Sequence, residues 1–397
     1  MTLRGKTAIV GVAEYRPTRY TEGATTLGML ADVAMRAIAD AGLEPAEVDG
    51  LLTASFAEAP FMAPATVVEY MGLDVHYSGV VDLGGATGAG MVARAAAAIA
   101  AGLCETVVCT TAARRERRTT GGQRGSASSG FAGRRVDRTP ESEFETPFGA
   151  IGANYGYAMI ANRYRHEYGV TPEQLAKIAV AQRYNACHNP DALFFGQPIS
   201  VEDVLASPVI VDPLHLLEIV MPAAGAAAVV VTSARKAKRL KQRPAYVLGA
   251  GEHTTHRGIT YAPSLTNTAI KAAADGAFAM AGVRRKDIDL ASLYDCYTIT
   301  VLLTLEDAGF AKKGQGGAFI DGHNLQFDGD FPLNPHGGQL SFGQAGIAGG
   351  MSHVTEAARQ VMGRAQGRQV RKCETAFVNG NGGIMSEQVS LILGRDR

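Results

Sequence analysis

The sequence predicts an α/β protein made of two similar halves, related by a pseudo-twofold axis and stacked as a five-layer α-β-α-β-α sandwich with an inserted loop region. The first observation behind this is an internal repeat. Ala41-Gly42-Leu43, followed by Glu47-Val48-Asp49, returns 240 residues later as Ala281-Gly282-Val283, followed by Asp287-Ile288-Asp289. The second is that other echoes keep the same order. Ile9-Val10-Gly11-Val12-Ala13-Glu14 matches Val247-Leu248-Gly249-Ala250-Gly251-Glu252, and Cys104-Glu105-Thr106-Val107-Val108 matches Cys373-Glu374-Thr375-Ala376-Phe377. Ala-rich helices look alike through composition alone, but composition does not repeat glycines and carboxylates in register. The third is the alternation of Val/Ile/Leu-rich runs with Ala-rich amphipathic segments, the pattern of sheets covered on both faces.

Each half reads as strand, helix, strand, helix, strand. Helices are expected at Gly28 to Ala41, Gly88 to Gly102, Asn267 to Ala281 and Gly346 to Arg364. Residues 1–113 and 224–240 are assigned to the first half and 241–397 to the second, with 114–223 as the insertion. Its start, 114–145, sets Arg114, Arg115, Arg117, Arg118, Arg124, Arg134, Arg135 and Arg138 among Gly, Ser and Thr, as a surface loop would. Helices at about Tyr155 to Tyr168 and Thr171 to Cys187 follow, then an extended Val209 to Pro213. Met221-Pro222-Ala223 leads into the buried strand around Val229-Val230-Val231.

Hydrophobic residues make up 46% of the 397, enough for a large core, and charged residues only 19%, which argues against disorder. The net charge of zero gives nucleic acid or an anionic membrane nothing to bind. Five cysteines, an odd number without metal-ligand spacing, read as reduced thiols of a cytosol. The chain runs from Met1 straight into an apolar strand without the apolar core of a signal peptide, and no apolar run spans a bilayer.

Three glycine-rich turns interrupt the regular elements: Asp82-Leu83-Gly84-Gly85-Ala86-Thr87-Gly88, Asn334-Pro335-His336-Gly337-Gly338 and Asn379-Gly380-Asn381-Gly382-Gly383. Glycine admits a positive φ and lets backbone N–H groups approach a ligand, and the first turn opens a helix, whose N-terminus favours an anion or a developing oxyanion. A dinucleotide-binding reading fails, because no acidic residue follows at the right place and the turn lies in the third strand unit, not the first. A fourth segment, Leu293-Tyr294-Asp295-Cys296-Tyr297-Thr298, ends an apolar strand and starts a helix. With strand geometry Tyr294 and Cys296 share a face, as a proton-transfer pair or as a core tyrosine beside an inert thiol.

These segments, in this order over nearly the whole chain, resemble the thiolase superfamily, specifically its sterol-carrier-protein-type thiolases and bacterial thiolase-like aldolases of steroid side-chain breakdown. Members place a nucleophilic cysteine in a Cys-Ala-Thr-Gly-like turn; here the turn is Gly85-Ala86-Thr87-Gly88. Their His-Asp-Cys-Phe-like motif is Tyr294-Asp295-Cys296-Tyr297, and their Asn-x-x-Gly-Gly turn with its Gly-His-Pro is Asn334-Pro335-His336-Gly337-Gly338 with Gly343-Gln344-Ala345. Gly85 therefore stands where the nucleophile would be and Gln344 where its activating histidine would be, so a ping-pong Claisen reaction has no covalent step.

The resemblance implies retro-aldol cleavage of a β-hydroxyacyl-CoA, with Tyr294 as base or hydrogen-bond partner and Cys296 as acid. Backbone N–H groups near Gly85 and Gly382, with Gly338 and Asn381, would bind the thioester or its enolate oxygen. The aldolases carry a second tyrosine where this chain has Gln344, so His336 or Tyr297 is a candidate substitute; a histidine in a tight turn is also commonly bonded to backbone. The arginines of 114–145 are either clamps for the CoA phosphates or a solvated loop. CoA would enter as part of the substrate, with no permanently bound cofactor or metal. The resemblance also implies a homodimer and a small partner subunit with an OB-fold and zinc ribbon. Two other readings stay open: a non-catalytic subunit that binds acyl-CoA or a partner, and an acyltransferase using Cys296.

Overall fold

The computed structural model describes residues 2–117 and 140–397. Arg118, Arg124, Arg134, Arg135 and Arg138 lie outside them. In chain order the elements are β1 (Thr7–Glu14), α1 (Thr26–Asp40), β2 (Gly50–Thr53), α2 (Ala63–Met71), β3 (Tyr77–Val80), α3 (Thr87–Ala100) and β4 (Thr106–Ala113). Then come α4 (Asn154–Tyr168), α5 (Pro172–Cys187), β5 (Gly225–Ser233), β6 (Ala245–Thr254), α6 (Ile270–Ala281) and β7 (Leu290–Leu293). The chain ends with α7 (Thr298–Asp307), α8 (Ala348–Met362), β8 (Thr375–Gly382) and β9 (Glu387–Gly394). The helices lie within a few residues of the expected spans. Val209–Val211 and Leu214–His215 form a small separate hairpin.

Nine strands pair in the order β3-β2-β4-β5-β1-β6-β9-β8-β7. The order is a palindrome about β1 and β6: β2 answers β7, β4 answers β8 and β5 answers β9. The sequence predicts two separate sheets; they are continuous here, because Ala8 pairs with Tyr246 and Ile9 with Ala245. α1 packs on β1, β4 and β5, and α6 packs on β6 and β9. Between the two halves of the sheet lie α3, packed on β4, β5, β8 and β9, and α8, packed on β1, β5, β7 and β8. All of α8 except Arg359 is buried, as befits a helix with sheet on both sides and no face left for water.

The repeated residues earn their repetition physically. A β-carbon on Gly11 would overlap the Ala37 carbonyl and stand 2.8 Å from the Ala41 side chain; on Gly249 it would overlap the Ala277 carbonyl and stand 3.0 Å from that of Ala281. Each glycine lets a helix lie directly on its strand. Asp49 accepts from the N–H groups of Glu105 (2.8 Å) and Thr106 (2.7 Å), and Asp289 from those of Glu374 (2.9 Å) and Thr375 (3.1 Å). These carboxylates satisfy strand-end donors that no ladder reaches. In both halves a side chain also caps the preceding turn, Glu47 on the Glu44 N–H and Asp287 on the Arg284 N–H, each at 3.0 Å.

Candidate active site

The site forms where the glycine-rich turns of both halves meet. At the end of β7, Asn334 clamps the strand: its Oδ1 accepts from the Leu293 N–H at 2.7 Å and its Nδ2 donates to the Leu293 carbonyl at 2.9 Å. Asn334 takes a positive φ of 46° to do so, a conformation asparagine tolerates better than most residues. The chain then leaves the sheet, and Tyr294, Asp295, Cys296 and Tyr297 follow, all buried.

Tyr294 lies over Gly85. A β-carbon on Gly85 would overlap Cε2 and Cζ of the Tyr294 ring and the Asn381 carbonyl. The space a side chain at 85 would need is filled by aromatic carbon, so absence of a nucleophile and presence of the tyrosine are one structural fact. The Tyr294 hydroxyl accepts from Gln344 Nε2 at 3.1 Å. Burial pushes this phenol well above its ordinary 10, while amide donors from Gln344 and Gln339 work in the opposite direction. Gln344 is the half-buried member of the site. Its backbone is held by the segment that ends the insertion: its N–H donates to Met221 O (3.0 Å) and its carbonyl accepts from Ala223 N (2.7 Å). The same segment holds the next turn, Val220 N donating to Cys296 O at 3.2 Å.

Cys296 lies 3.5 Å from Thr300 Oγ1 and accepts a long contact, 3.9 Å, from Asn381 Nδ2. Burial pushes its thiol up to about 12, against hydrogen bonds from Thr300 and Tyr157 that favour the thiolate. A thiol that keeps its proton is an acid in reserve and a poor nucleophile, which counts against Cys296 as an acyl carrier.

Of the remaining expected residues, Asn381 and Gly382 lie against the first glycine-rich turn. Asn381 Nδ2 donates to the Tyr157 hydroxyl at 2.8 Å, and its Oδ1 accepts from Gln388 at 2.7 Å. Gly382 packs backbone to backbone on the first turn, where a β-carbon would overlap Leu83 O. Gly338 and His336 are different. A β-carbon on Gly338, at φ +58°, would overlap Gln182 Oε1 and Asp295 Oδ2, so the residue faces protein side chains and not a ligand. Its turn serves instead to present the N–H groups of Gln339 and Leu340 to Asp295, at 2.8 and 3.1 Å. His336 is buried with neither ring nitrogen hydrogen-bonded, even to backbone. Its ring packs on His353 (5.1 Å between centroids) and Phe342 (5.3 Å), and burial holds its basicity well below the ordinary range. Tyr297 is likewise committed, donating to Asn154 Oδ1 at 2.5 Å and stacking on Tyr157 at 4.2 Å. Neither reaches the Tyr294 hydroxyl as the expected substitute.

Three residues escaped sequence reasoning. Tyr157, on α4, donates to Gly383 O at 3.0 Å and meets Asn381 and Cys296. Gln339 and His353 lie behind Tyr294, and the rings of Tyr294 and His353 are 5.9 Å apart. Of the arginines, Arg114 pairs with Glu58 and Glu116, and Arg115 donates to the carbonyls of Arg19 and Pro222. Arg115 and Arg117 both lie over the Tyr20 ring. A cleft of about 380 Å³ lined by His253, Thr255, His256, Lys271, Asp275 and Met385 among others includes none of Tyr294, Cys296 and Gln344.

Residues 251–395 match the family described as Thiolase C-terminal domain-like. A steroid side-chain-cleaving aldolase of Thermomonospora curvata is 35% identical, over 100% of this chain and 99% of its own. The 17-hydroxy-3-oxo-4-pregnene-20-carboxyl-CoA lyase of Mycobacterium tuberculosis is 33% identical, over 99% of this chain and 100% of its own. The solved structure of the Ltp2-ChsH2(DUF35) aldolase superposes with a TM-score of 0.86 at 33% identity, covering 100% of this chain and 99% of that one. The chain belongs to the thiolase superfamily, in its branch of sterol-carrier-protein-type thiolases and thiolase-like steroid side-chain aldolases.

Proposed function

We propose that the protein is a carbon–carbon lyase that cleaves a β-hydroxyacyl-CoA by a retro-aldol reaction, without an acyl-enzyme, in the breakdown of steroid or related lipid side chains. Tyr294, as its phenolate, takes the β-hydroxyl proton. The oxygen's electrons close the carbonyl of the departing ketone or aldehyde, and the Cα–Cβ electron pair moves onto Cα as a thioester enolate. Cys296 then gives its proton to Cα, releasing the shortened acyl-CoA, and the proton gained by Tyr294 passes back to the Cys296 thiolate to restore both groups. Backbone N–H groups about Gly85 and Gly382, with the N-terminus of α3 behind them, would stabilise the enolate oxygen. One observation carries this reading: the Tyr294 ring occupies the volume that a nucleophile at residue 85 would need. The relatives' names, an aldolase and a CoA lyase, support it.

Two associations go with the proposal. The name Ltp2-ChsH2(DUF35) supports a small partner subunit for this chain as well. A homodimer through β3 is supported by that strand's place at the sheet edge and by the exposed side chains of Val80, Phe61, Met62 and Tyr70. The test is direct. The chain, alone and with a co-purified small subunit, is mixed with a β-hydroxyacyl-CoA, and release of ketone or aldehyde is followed. Turnover that collapses by more than about 100-fold in Tyr294→Phe, with no acyl adduct detected by mass spectrometry, is expected. A trapped acyl adduct, or full activity in Tyr294→Phe, refutes it.

A further inference from the structure

Protonation of Cα leaves a charge behind. The S–H bond of Cys296 breaks, its hydrogen goes to carbon, and its electron pair stays on sulfur. A buried thiolate is costly unless hydrogen-bond donors hold it. Asp295, the residue before it, adds to the cost by opposing a second negative charge. The donors at hand are Thr300 Oγ1 at 3.5 Å, Asn381 Nδ2 at a long 3.9 Å, and the hydroxyl of Tyr157.

Tyr157 is the most firmly placed of the three. It comes from α4, in the inserted region, and is buried. Its ring stacks on Tyr297 at 4.2 Å, and the Tyr297 hydroxyl donates to Asn154 of the same helix. Its oxygen accepts from Asn381 Nδ2 at 2.8 Å, the same amide nitrogen that faces the Cys296 sulfur. Asn381 in turn ends a buried hydrogen-bonded chain along β8 and β9. Its Oδ1 accepts from Gln388 at 2.7 Å, Gln388 Oε1 from Asn379 at 3.0 Å, and Asn379 Oδ1 from Ser390 at 2.7 Å. Burial pushes the Tyr157 phenol up, so it keeps its proton and serves as a donor. In the resting site that proton goes to the Gly383 carbonyl at 3.0 Å. Donation from Asn381 into the phenol oxygen polarises its O–H bond, and a bond to a thiolate is roughly twice as strong as one to a neutral carbonyl. With ring and oxygen fixed, only the hydrogen has to turn.

We infer that Tyr157 is a positioning residue for the protonation step: its hydroxyl turns from the Gly383 carbonyl to the Cys296 sulfur and holds the thiolate until the sulfur regains a proton. The inference rests on the acid role proposed for Cys296, and its test runs that step without any cleavage. Acetyl-CoA and propionyl-CoA are incubated with the full chain in D₂O, and deuterium entering Cα is followed by mass spectrometry. The parent should exchange and Cys296→Ala should not. Tyr157→Phe keeps the ring and its stack on Tyr297, so it should melt close to the parent. Its exchange rate at saturating acyl-CoA should fall by about 10- to 100-fold, the value of one hydrogen bond to a charged group, with KM within about twofold. No exchange by the parent, or a Tyr157→Phe rate within about threefold of it, overturns the inference.

A double-mutant cycle on cleavage separates this role from a merely structural one. Added to Cys296→Ala, Tyr157→Phe should cost the residual turnover nothing further, because the sulfur it serves is gone. An equal fall with and without Cys296 is the structural signature and overturns the inference. Should Tyr157→Phe not fold, 3-fluorotyrosine installed at position 157, a stronger donor of nearly the same shape, carries the test: exchange should exceed the parent's, and an unchanged or lower rate refutes the role. Exchange without cleavage would remove the lyase reading and leave the inference standing, whereas cleavage without exchange does the reverse.

Discussion

Adding one methyl group at Gly85 is the sharpest probe of the site. Gly85 needs no special backbone conformation, so Gly85→Ala acts through contact alone. The new β-carbon falls inside 3.0 Å of Cε2 and Cζ of Tyr294 and of the Asn381 carbonyl oxygen. That oxygen belongs to β8, whose backbone is paired with β9 at Asn381–Gln388, so the side chain is the freer partner and the ring must retreat by roughly 1 Å to regain ordinary van der Waals separation. Overpacking of this size costs about 1–3 kcal/mol of stability. It also pulls the phenol from the 3.1 Å bond with Gln344, and a displacement of about 1 Å at a reacting group costs on the order of 10²-fold in rate. The assays are kcat for ketone release and the thermal midpoint, each measured for Gly85→Ala, Tyr294→Ala and the double variant. Removing the ring should relieve the ring's share of that cost and leave the clash with the Asn381 carbonyl oxygen, a coupling of about 1 kcal/mol or more between the two sites. Activity stays lost in the double variant. If Gly85→Ala melts and turns over like the parent, the ring does not fill that space and the account of the missing nucleophile is wrong.

Three further outcomes follow from the buried groups. Cys296, with its thiol pushed up to about 12, should resist iodoacetamide near pH 7.5, and Cys187, the half-buried cysteine, should react first; stoichiometric labelling of Cys296 ahead of Cys187 by peptide mapping would refute this. Arg368→Met leaves Glu356, held at about 2 by that arginine, charged and unpaired at full burial, for a loss of about 3–5 kcal/mol in urea unfolding; a loss below about 1 kcal/mol would contradict the pairing. Thiols that ionise at an ordinary 9 in the unfolded chain hold their protons to about 11 at Cys104 and about 12 at Cys296 and Cys373. The unfolded state therefore loses protons first, and the thiol contribution, complete below pH 9, declines as pH climbs toward 12. Unfolding midpoints should fall across that window and fall less in Cys373→Ala; a midpoint that rises with pH refutes the sign.

The duplicated architecture was legible in the sequence because its strongest marks are backbone requirements. Gly11 and Gly249 admit a helix against a strand, and Asp49 and Asp289 satisfy strand-end donors, so the same residues recur wherever the same geometry does. Gly85, Tyr294, Cys296 and Gln344 could be singled out as candidates because each falls in a segment that resembles a thiolase motif, and Asn381 because it lies in a glycine-rich turn. His336 and Gly338 were misjudged because their turn looks like a ligand-binding turn, while its real work is to clamp β7 and present two N–H groups to Asp295. Tyr157, Gln339 and His353 carried no mark. Tyr157 arrives from the insertion, more than a hundred residues from its partners, and His353 is one polar residue in a helix that only the assembled fold reveals as buried on every side.

The palindromic strand order carries a consequence about ancestry. Residue 54 follows β2 as residue 294 follows β7, exactly one repeat length apart, and there the first half has Ala54, with Phe56 in place of Cys296. Duplication supplied two matching mouths, and only one was armed. The first half thus carries no proton-transfer group at the positions that match Tyr294 and Cys296.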